Sequence, residues 1–214
     1  MKTTHLLVVA SFGLGTISFA QRVEQVDTRE DLKFGLKAGG NVSNVWDENS
    51  QDFEANSKIG LAGGVYMSVP FGKYLGVQPG LIFSQKGFRE DGRFLGSDYT
   101  FTRTTNYLDI PLLFELKPKP FLTIVAGPQY SFLLSKTDQF TSSTVSITDV
   151  DKYDNNNIRK NTLGALVGFD IHSNQWVISP RAGWDLQSND GDGTSSSLRY
   201  KNQWVQLTIG YEFN

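Results

Sequence analysis

One stretch of the sequence limits the possible folds more than any other: residues 107–134, YLDIPLLFELKPKPFLTIVAGPQYSFLL. Two segments in which apolar residues alternate with other residues flank the Lys-Pro-Lys-Pro of residues 117–120. We expect a tight turn there, because proline continues neither a helix nor a central strand. A period of two residues is typical of a β-strand with one apolar face. Each arm is long enough to cross a bilayer as a tilted strand, which takes about 9 to 11 residues. The stretch therefore predicts one hairpin of a transmembrane β-barrel.

The same alternation recurs along the rest of the chain, and helical periodicity is absent. We predict eight strands, at about residues 32–42, 58–71, 75–86, 107–116, 122–134, 158–171, 176–186 and 200–213, with a start as early as residue 99 as an alternative for the fourth. Long polar loops (43–56, 88–98, 135–157 and 187–198) alternate with short turns (71–74, 117–120 and 172–175). This predicts an all-β fold: an eight-stranded antiparallel up-and-down transmembrane β-barrel with short periplasmic turns and long extracellular loops. An even number of strands places both termini on the periplasmic side.

The first 20 residues predict a secretory signal peptide, with an early lysine, an apolar segment at residues 6–17 and small residues before Gln21. Residues 21–31 then form a polar periplasmic lead, and residues 32–214 form the barrel. The sequence has no cysteine, which excludes a lipid-modified N-terminus, disulfides and thiolate metal sites. The 20 basic and 22 acidic residues nearly balance, so no basic surface for nucleic acid is expected.

A soluble lipocalin-like barrel that binds a ligand is the main structural alternative, because its strands also alternate but turn their apolar face inward. The composition of the polar face favours the membrane barrel, since glycines and charges of both signs alternate on it. We predict that seven of these charged residues form a mutually compensating structural network in the interior: Lys33, Lys37, Asp109, Glu115, Arg181, Asp185 and Glu212. Four prolines inside strands fit less well, and we expect β-bulges at Pro79, Pro111, Pro128 and Pro180.

Four segments of the sequence resemble the PorT-like outer-membrane β-barrel family. They are GLKAGGNVSN at residues 35–44, YLDIPLLFELK at 107–117, AGPQYSFLL at 126–134 and TIGYEF at 208–213. The resemblance covers the mature chain in order and implies an eight-stranded barrel in the outer membrane of a Gram-negative bacterium. One branch of that family is linked to protein secretion, but the family supplies no catalytic motif to carry over to this sequence.

Three functional classes remain open: an enzyme, a narrow channel or secretion-associated component, and a structural or surface-binding barrel. For an enzyme, His172 is the one histidine outside the signal peptide, and we expect it to be a solvated turn residue rather than a base. Asp109 and Glu115 lie six residues apart on one strand face, about 20 Å, too far to share acid–base work. Asp109 is better explained as the partner of an interior lysine or arginine.

Neither a metal site nor a cofactor is expected. The segment SNDGDG at residues 188–193 resembles the first half of a calcium loop, but Arg199 stands where a bidentate glutamate is required. We therefore predict no catalytic, cofactor-binding or metal-binding residues, and a non-enzymatic barrel. The expected partners are outer-membrane lipids and an extracellular or secretion-system protein.

Overall fold

The computed structural model describes residues 27–46, 56–94, 97–142, 146–152, 159–188 and 200–213. These ranges contain nine β-strands. They are β1 (Lys33–Trp46), β2 (Asn56–Pro70), β3 (Leu75–Phe94), β4 (Ser97–Lys119), β5 (Leu122–Ser142), β6 (Ser146–Lys152), β7 (Asn161–Ser173), β8 (Trp176–Asp185) and β9 (Lys201–Phe213). The predicted signal peptide, most of the lead, and most of the loops 43–56 and 187–198, with the calcium-like segment, lie outside the described residues.

Eight of the strands close into a ring. Each strand pairs antiparallel with its neighbours in the order β1-β2-β3-β4-β5-β7-β8-β9, and β9 pairs back onto β1. The predicted eight-stranded up-and-down barrel is therefore confirmed. Closure matters physically because it leaves no unpaired sheet edge inside a membrane.

Alternation along each strand sorts the side chains into two environments. Phe34, Leu61, Phe114 and Ile209 point outward and are about half exposed or more, as are many other large apolar residues. Charged and amide side chains on the opposite parity are buried in the interior. A lipocalin has the reverse arrangement, so that alternative is wrong. No helix in the described ranges is long and apolar enough to cross a membrane.

Three tight turns and both ends of the barrel domain lie at one end of the barrel, which we call the turn side. The β2–β3 turn contains Gly72 at φ 116°, a conformation that favours glycine. Asn174 adopts φ 54° in the two-residue β7–β8 turn. The β4–β5 turn differs from the prediction, because β4 continues through Lys119 and only Pro120 and Phe121 form the turn. Proline at position 118 is tolerated within the strand end.

At the other end, the loop side, three strands continue beyond the ring. β3, β4 and β5 have 20, 23 and 21 residues, whereas β8 has 10. The loop-side parts of β3, β4 and β5 pair with one another, and β6 pairs with β5. We call residues 87–94, 97–106, 135–142 and 146–152 the projecting sheet. The loops predicted at 88–98 and 135–157 are thus largely strand in the residues that the structure describes. Polar side chains on both faces give this sheet the composition of a loop.

Gly87 lies where the projecting sheet begins. Its φ is 143°, and a Cβ there would collide with the carbonyl oxygen of Arg103 on the neighbouring strand. Its amide donates to Oγ of Ser43 on β1 at 2.9 Å. This position therefore favours glycine, and its backbone is fixed to the barrel wall.

The in-strand prolines do not produce the predicted bulges. The β3–β4 register is the same on both sides of Pro79, and the β4–β5 register is the same past Pro111. Pro128 and Pro180 pair with Ala165 and Leu207 within regular ladders. The irregularities lie instead near Ser57, Asn106 and Leu116. Proline is accommodated by local gaps in the ladder, since each proline removes only one donor.

Candidate functional site

The interior of the barrel holds the seven charged residues singled out by the sequence. All of them are buried: Lys33, Lys37, Asp109, Glu115, Arg181, Asp185 and Glu212. Within the described structure, one pair among the seven is in direct contact, because Nζ of Lys33 lies 3.4 Å from Oε2 of Glu212. The remaining contacts involve interior residues outside that set.

Glu115 on β4 is a junction between strands on the turn side. Its carboxylate lies 3.0 Å from Nζ of Lys117 and accepts hydrogen bonds from Ser68 at 2.7 Å and Gln78 at 3.0 Å. Lys117 belongs to the segment predicted as a tight turn, and for this residue the prediction is wrong. Because β4 continues to Lys119, position 117 keeps inward parity, and Lys117 is buried.

Asp170 on β7 is compensated by Arg181 on β8. Nη2 of the arginine donates to Oδ1 of the aspartate at 2.7 Å, and Oγ of Ser179 donates to the same oxygen at 2.5 Å. Gln78 donates from its amide to Oδ2 at 3.0 Å and accepts from Arg181 at 3.3 Å. Gln78 therefore joins the Arg181–Asp170 pair to the Glu115 junction.

A third group surrounds Glu212 on β9. Tyr66 donates to Oε1 at 3.0 Å, and Nδ1 of His172 lies 3.3 Å from Oε2. Nε2 of His172 lies 3.1 Å from Oγ1 of Thr123. His172 is in β7 and mostly buried, so the expectation of a solvated turn residue is wrong. The line Thr123, His172, Glu212 has the order of nucleophile, base and orienting group, but Thr123 is itself only 4% exposed. Its hydroxyl is closed to a substrate.

Lys37 lies among these groups without an ion pair of its own. Its ammonium is 4.5 Å from the centroid of the Tyr66 ring, and no carboxylate oxygen of the described residues lies within 4.0 Å of it. The lysine is 7% exposed. A face-on ring compensates a buried cation only partly.

Four apolar side chains, which we call the apolar layer, pack together in the interior among the charged groups. They are Leu113, Val125, Leu166 and Trp204, all at most 5% exposed and contributed by four strands, β4, β5, β7 and β9. An eight-stranded barrel is narrow enough for side chains to fill it. The four side chains therefore fill part of the narrow interior.

On the loop side of this layer, Lys86 compensates Asp109. The two charged groups lie 3.2 Å apart, and Nζ of Lys86 is 3.7 Å from the Trp204 ring centroid and 5.0 Å from that of Tyr107. Asp185 accepts from the backbone and side-chain nitrogens of Asn202, the latter at 2.6 Å. Asp109 thus has the lysine partner that its sequence position suggested.

Aromatic side chains cover the loop-side mouth of the barrel. Phe88 packs against Tyr200 and Phe101, with ring centroids 5.3 Å and 6.1 Å apart. The guanidinium of Arg103 lies 5.5 to 5.8 Å from all three rings and donates two hydrogen bonds to Asp138, at 2.7 and 2.8 Å. The cap is thereby tied to the projecting sheet.

The N-terminal lead lies across the opposite mouth. Arg29 donates to the carbonyl oxygen of Lys117 at 3.2 Å, and Lys117 donates to the carbonyl oxygen of Arg29 at 3.3 Å. Asp27 bonds Arg29 and lies 2.9 Å from Nζ of Lys73 in the β2–β3 turn. The guanidinium of Arg29, and then Lys73, hold the pKa of Asp27 well below its usual range. These contacts fasten the lead to the turn side.

The sequence matches a family model described as an outer membrane protein beta-barrel domain, over residues 19–189. The chain belongs to the outer membrane protein β-barrel domain family. With an apolar wall around a polar interior, this member of the family is an integral protein of the outer membrane. No curated protein matches the sequence.

Solved structures of other outer-membrane proteins resemble the fold. Ail, the attachment invasion locus protein of Yersinia pestis, is 14% identical over 85% of this chain and 99% of its own, with a TM-score of 0.48. Neisserial surface protein A is 7% identical over 84% and 97%, with a TM-score of 0.47. OprG of Pseudomonas aeruginosa is 15% identical over 86% and 96%, with a TM-score of 0.41.

The described residues contain no group of three or more histidine and carboxylate side chains that could hold a metal ion. The described interior instead holds four ion pairs: Lys33–Glu212, Lys86–Asp109, Lys117–Glu115 and Arg181–Asp170. Five other interior residues that take part in these contacts were outside the predicted network: Gln78, Lys86, Lys117, Asp170 and His172. Gln78, Lys86 and Asp170 had inward parity in the sequence, and this parity was the signal that could have identified them.

Proposed function

We propose that this family member is a closed, non-enzymatic barrel with a structural or surface-binding role. The observation that supports this most directly is the filled interior, in which the apolar layer of Leu113, Val125, Leu166 and Trp204 packs beside buried ion pairs. We infer that these side chains together block a continuous water path. Capped mouths at both ends add to the closure.

The proposed topology places the turn side in the periplasm and the projecting sheet outside the cell. Outer-membrane barrels have short periplasmic turns and longer extracellular extensions. Here the three tight turns and Lys33 and Phe213, the first and last barrel residues, share one end, and the long strands project from the other. Both termini would then be periplasmic, consistent with export directed by residues 1–20.

We also propose that the chain belongs to the PorT-like branch of the family. The four sequence segments at 35–44, 107–117, 126–134 and 208–213 support this assignment. They coincide with parts of β1, β4, β5 and β9, which form the wall of the barrel rather than its loops. A secretion role is not transferred with this assignment. A secretion-system component that co-purifies with the protein from its native membrane would support such a role.

The absence of catalysis is part of the proposal. Thr123, His172 and Glu212 are the one line of groups in the described interior that has an enzyme-like order: the Thr123 hydroxyl is hydrogen-bonded to one ring nitrogen of His172, and the Glu212 carboxylate lies 3.3 Å from the other. The Thr123 hydroxyl is closed to a substrate, because Thr123 is only 4% exposed. We therefore assign this line to holding β5, β7 and β9 together at the turn side.

Single-channel recording in planar bilayers tests the proposal. The purified protein should insert without producing discrete conductance steps, while an open porin under the same conditions provides the positive control. Stable, voltage-independent steps from the wild-type protein would contradict a closed barrel. Folding in the same sample is verified by heat-modifiable electrophoretic migration.

A further inference from the structure

One buried carboxylate of the described interior has no lysine or arginine beside it. Five carboxylates are buried there, and four of them lie within 4.0 Å of a lysine or arginine nitrogen. Asp185, the last residue of β8, is the exception among the described residues, although it is only 4% exposed. The ammonium of Lys86 lies against Asp109 instead, at 3.2 Å. A buried charge without a countercharge is costly, so the surroundings of Asp185 require an explanation.

The cation that lacks an ion pair in the described interior, Lys37, is too far away to compensate Asp185. Lys37 lies opposite Gly210 of β9, whereas Asp185 bonds Asn202 of the same strand. Eight residues separate these two positions of β9, about 26 Å along the strand. The charge of Asp185 must therefore be compensated locally.

One oxygen of the Asp185 carboxylate has partners and the other has none. Oδ2 accepts hydrogen bonds from the backbone nitrogen of Asn202 at 3.2 Å and from its side-chain nitrogen at 2.6 Å. Oδ1 is buried and makes no hydrogen bond with a described residue. Both donors at Oδ2 are neutral, so they orient the carboxylate but bring no positive charge to it.

The unpartnered oxygen points over a residue that has no side chain. A Cβ on Gly164 of β7 would lie 3.5 Å from Oδ1 of Asp185. Gly164 pairs with Asp185 on one side and with Gln129 of β5 on the other, and the side chains of Asp185 and Gln129 are both buried in the interior. Their Cα atoms are two strand spacings apart, about 10 Å. We call the space over Gly164, between these two side chains, the Gly164 gap.

Gln129 places a second uncommitted oxygen beside the Gly164 gap. Its amide nitrogen donates to Oγ of Ser131 at 3.1 Å, and its amide oxygen accepts no hydrogen bond from a described residue. Gln129 is 3% exposed. The gap is thus flanked by one carboxylate oxygen and one neutral oxygen, and the described chain donates to neither of them.

We propose that a monovalent cation, Na⁺ or K⁺, binds in the Gly164 gap between Oδ1 of Asp185 and the amide oxygen of Gln129. Carboxylate and carbonyl oxygens are the ligands that hard cations prefer, and one carboxylate matches one positive charge. Ca²⁺ takes about six oxygen ligands or more, and Mg²⁺ retains several waters, whereas the gap corresponds to one missing side chain. The cation supplies the countercharge that the other four buried carboxylates receive from lysine or arginine.

Thermal unfolding in different salts tests the site. The mature chain is refolded from urea into a non-ionic detergent, separately in NaCl, KCl and N-methyl-D-glucamine chloride of equal ionic strength, so that each sample folds around the cation supplied. We expect the midpoint, followed by circular dichroism, to be at least about 2 °C higher in NaCl or KCl than in the salt of the large organic cation. The order of NaCl and KCl identifies the preferred ion.

A matched pair of variants locates the effect. Asp185→Asn removes the charge, keeps the shape of the side chain and should lose the difference between the salts. Asp138→Asn makes the same change at a carboxylate that Arg103 compensates on the projecting sheet, and it should keep the difference. Comparing each variant with itself in two salts removes any general change in stability. If Asp185→Asn does not fold, Gln129→Leu removes the neutral oxygen, leaves the carboxylate in place and should reduce the difference.

Four results would overturn the inference. Equal midpoints in the three salts would assign the compensation of Asp185 to a proton or to water. A full difference that persists in Asp185→Asn, or in Gln129→Leu, would place the cation elsewhere. A midpoint raised by CaCl₂ but not by NaCl or KCl would mean a divalent site. Loss of the difference in Asp138→Asn would mean that net charge, and not the Gly164 gap, determines the response.

Discussion

Arg181 and Asp170 face each other across β7 and β8, with Nη2 of the arginine donating to Oδ1 of the aspartate at 2.7 Å. Both side chains are almost fully buried, at 2% and 1% exposure. Their net contribution to stability is small when the pair is intact, because desolvation offsets much of the attraction. Loss of one partner is different, since it leaves the other charge buried and uncompensated.

Arg181→Met should therefore destabilise the folded barrel by about 3 kcal/mol. The measurement is the free energy of unfolding in urea, monitored by heat-modifiable migration in detergent. Adding Asp170→Asn to the variant should recover a large part of the loss, because the stranded carboxylate is then removed. A double variant no more stable than Arg181→Met would mean that packing, rather than charge, causes the effect.

Lys37→Met should behave in the opposite way. Lys37 is buried against the Tyr66 ring and has no ion pair with a described residue, so the substitution removes an incompletely compensated cation. We expect the free energy of unfolding to stay within about 1 kcal/mol of the wild type or to rise. A loss as large as that of Arg181→Met would show that Lys37 compensates Asp170 or Glu212 at longer range.

The sequence predicted the wall of the barrel well, for a physical reason. A strand between lipid and a filled interior must alternate, so parity alone placed Lys33, Asp109 and Glu212 inward without knowledge of their neighbours. Partners were harder to predict, because they depend on the register between strands. The contact between Lys86 and Asp109 depends on the register of β3 and β4, in which Ile82 lies opposite Asp109 and Lys86 follows on the same inward face.

The projecting sheet was missed because water imposes no alternation of apolar and polar residues. Residues 88–98 and 135–152 carry polar side chains on both strand faces, as a loop would, and strand pairing is invisible in composition. The turn predicted at residues 117–120 was placed too early for a different reason. Its two prolines suggested a turn, whereas Lys117 continues the inward parity of β4 and bonds Glu115.

The topology can be tested by labelling single cysteines on intact cells. The sequence has no cysteine, so the background is clean. Cysteine in place of Gln139 on the projecting sheet should react with a membrane-impermeant maleimide. Cysteine in place of Asn174 in the β7–β8 turn should react only after the outer membrane is permeabilised.

Likewise, an epitope in residues 141–156 should be accessible on intact cells, and one in 117–120 should not. Reversed labelling would place the projecting sheet in the periplasm.

Acid should destabilise the projecting sheet by protonating Asp138. Burial alone would raise the pKa of Asp138, but the hydrogen bonds and charge of Arg103, with Lys136 nearby, outweigh it and lower the pKa. A lowered folded pKa stabilises the sheet at pH values above the unfolded pKa, about 3.9, and this contribution is lost as the pH falls through the folded value. Amide hydrogen exchange of residues 136–142 should therefore accelerate relative to the barrel wall below about pH 4.

Asp138→Asn should remove most of that pH dependence and raise exchange at neutral pH. Asp91 provides the control, because the Thr100 hydroxyl and Arg89 lower its pKa on the opposite face of the sheet. Asp91→Asn should leave the acid response of residues 136–142 in place. An unchanged response in Asp138→Asn would assign it to another carboxyl group.

Opening the apolar layer should convert the closed barrel into a leaky one. Trp204 contributes the largest side chain of the layer and also lies 3.7 Å from Nζ of Lys86, so it both blocks the interior and holds the loop-side cation in place. The double variant Trp204→Ala, Leu113→Ala leaves a cavity between two charged groups, and water should enter because polar partners lie on either side. We expect small, discrete conductance steps in planar bilayers, where the wild type shows none. Trp176→Ala, which truncates a tryptophan on the lipid-facing side of the turn-side rim, should remain closed. If the double variant folds, as shown by heat-modifiable migration, and still conducts no ions, the seal must lie at the aromatic cap of Phe88 and Tyr200 or at the lead held by Arg29.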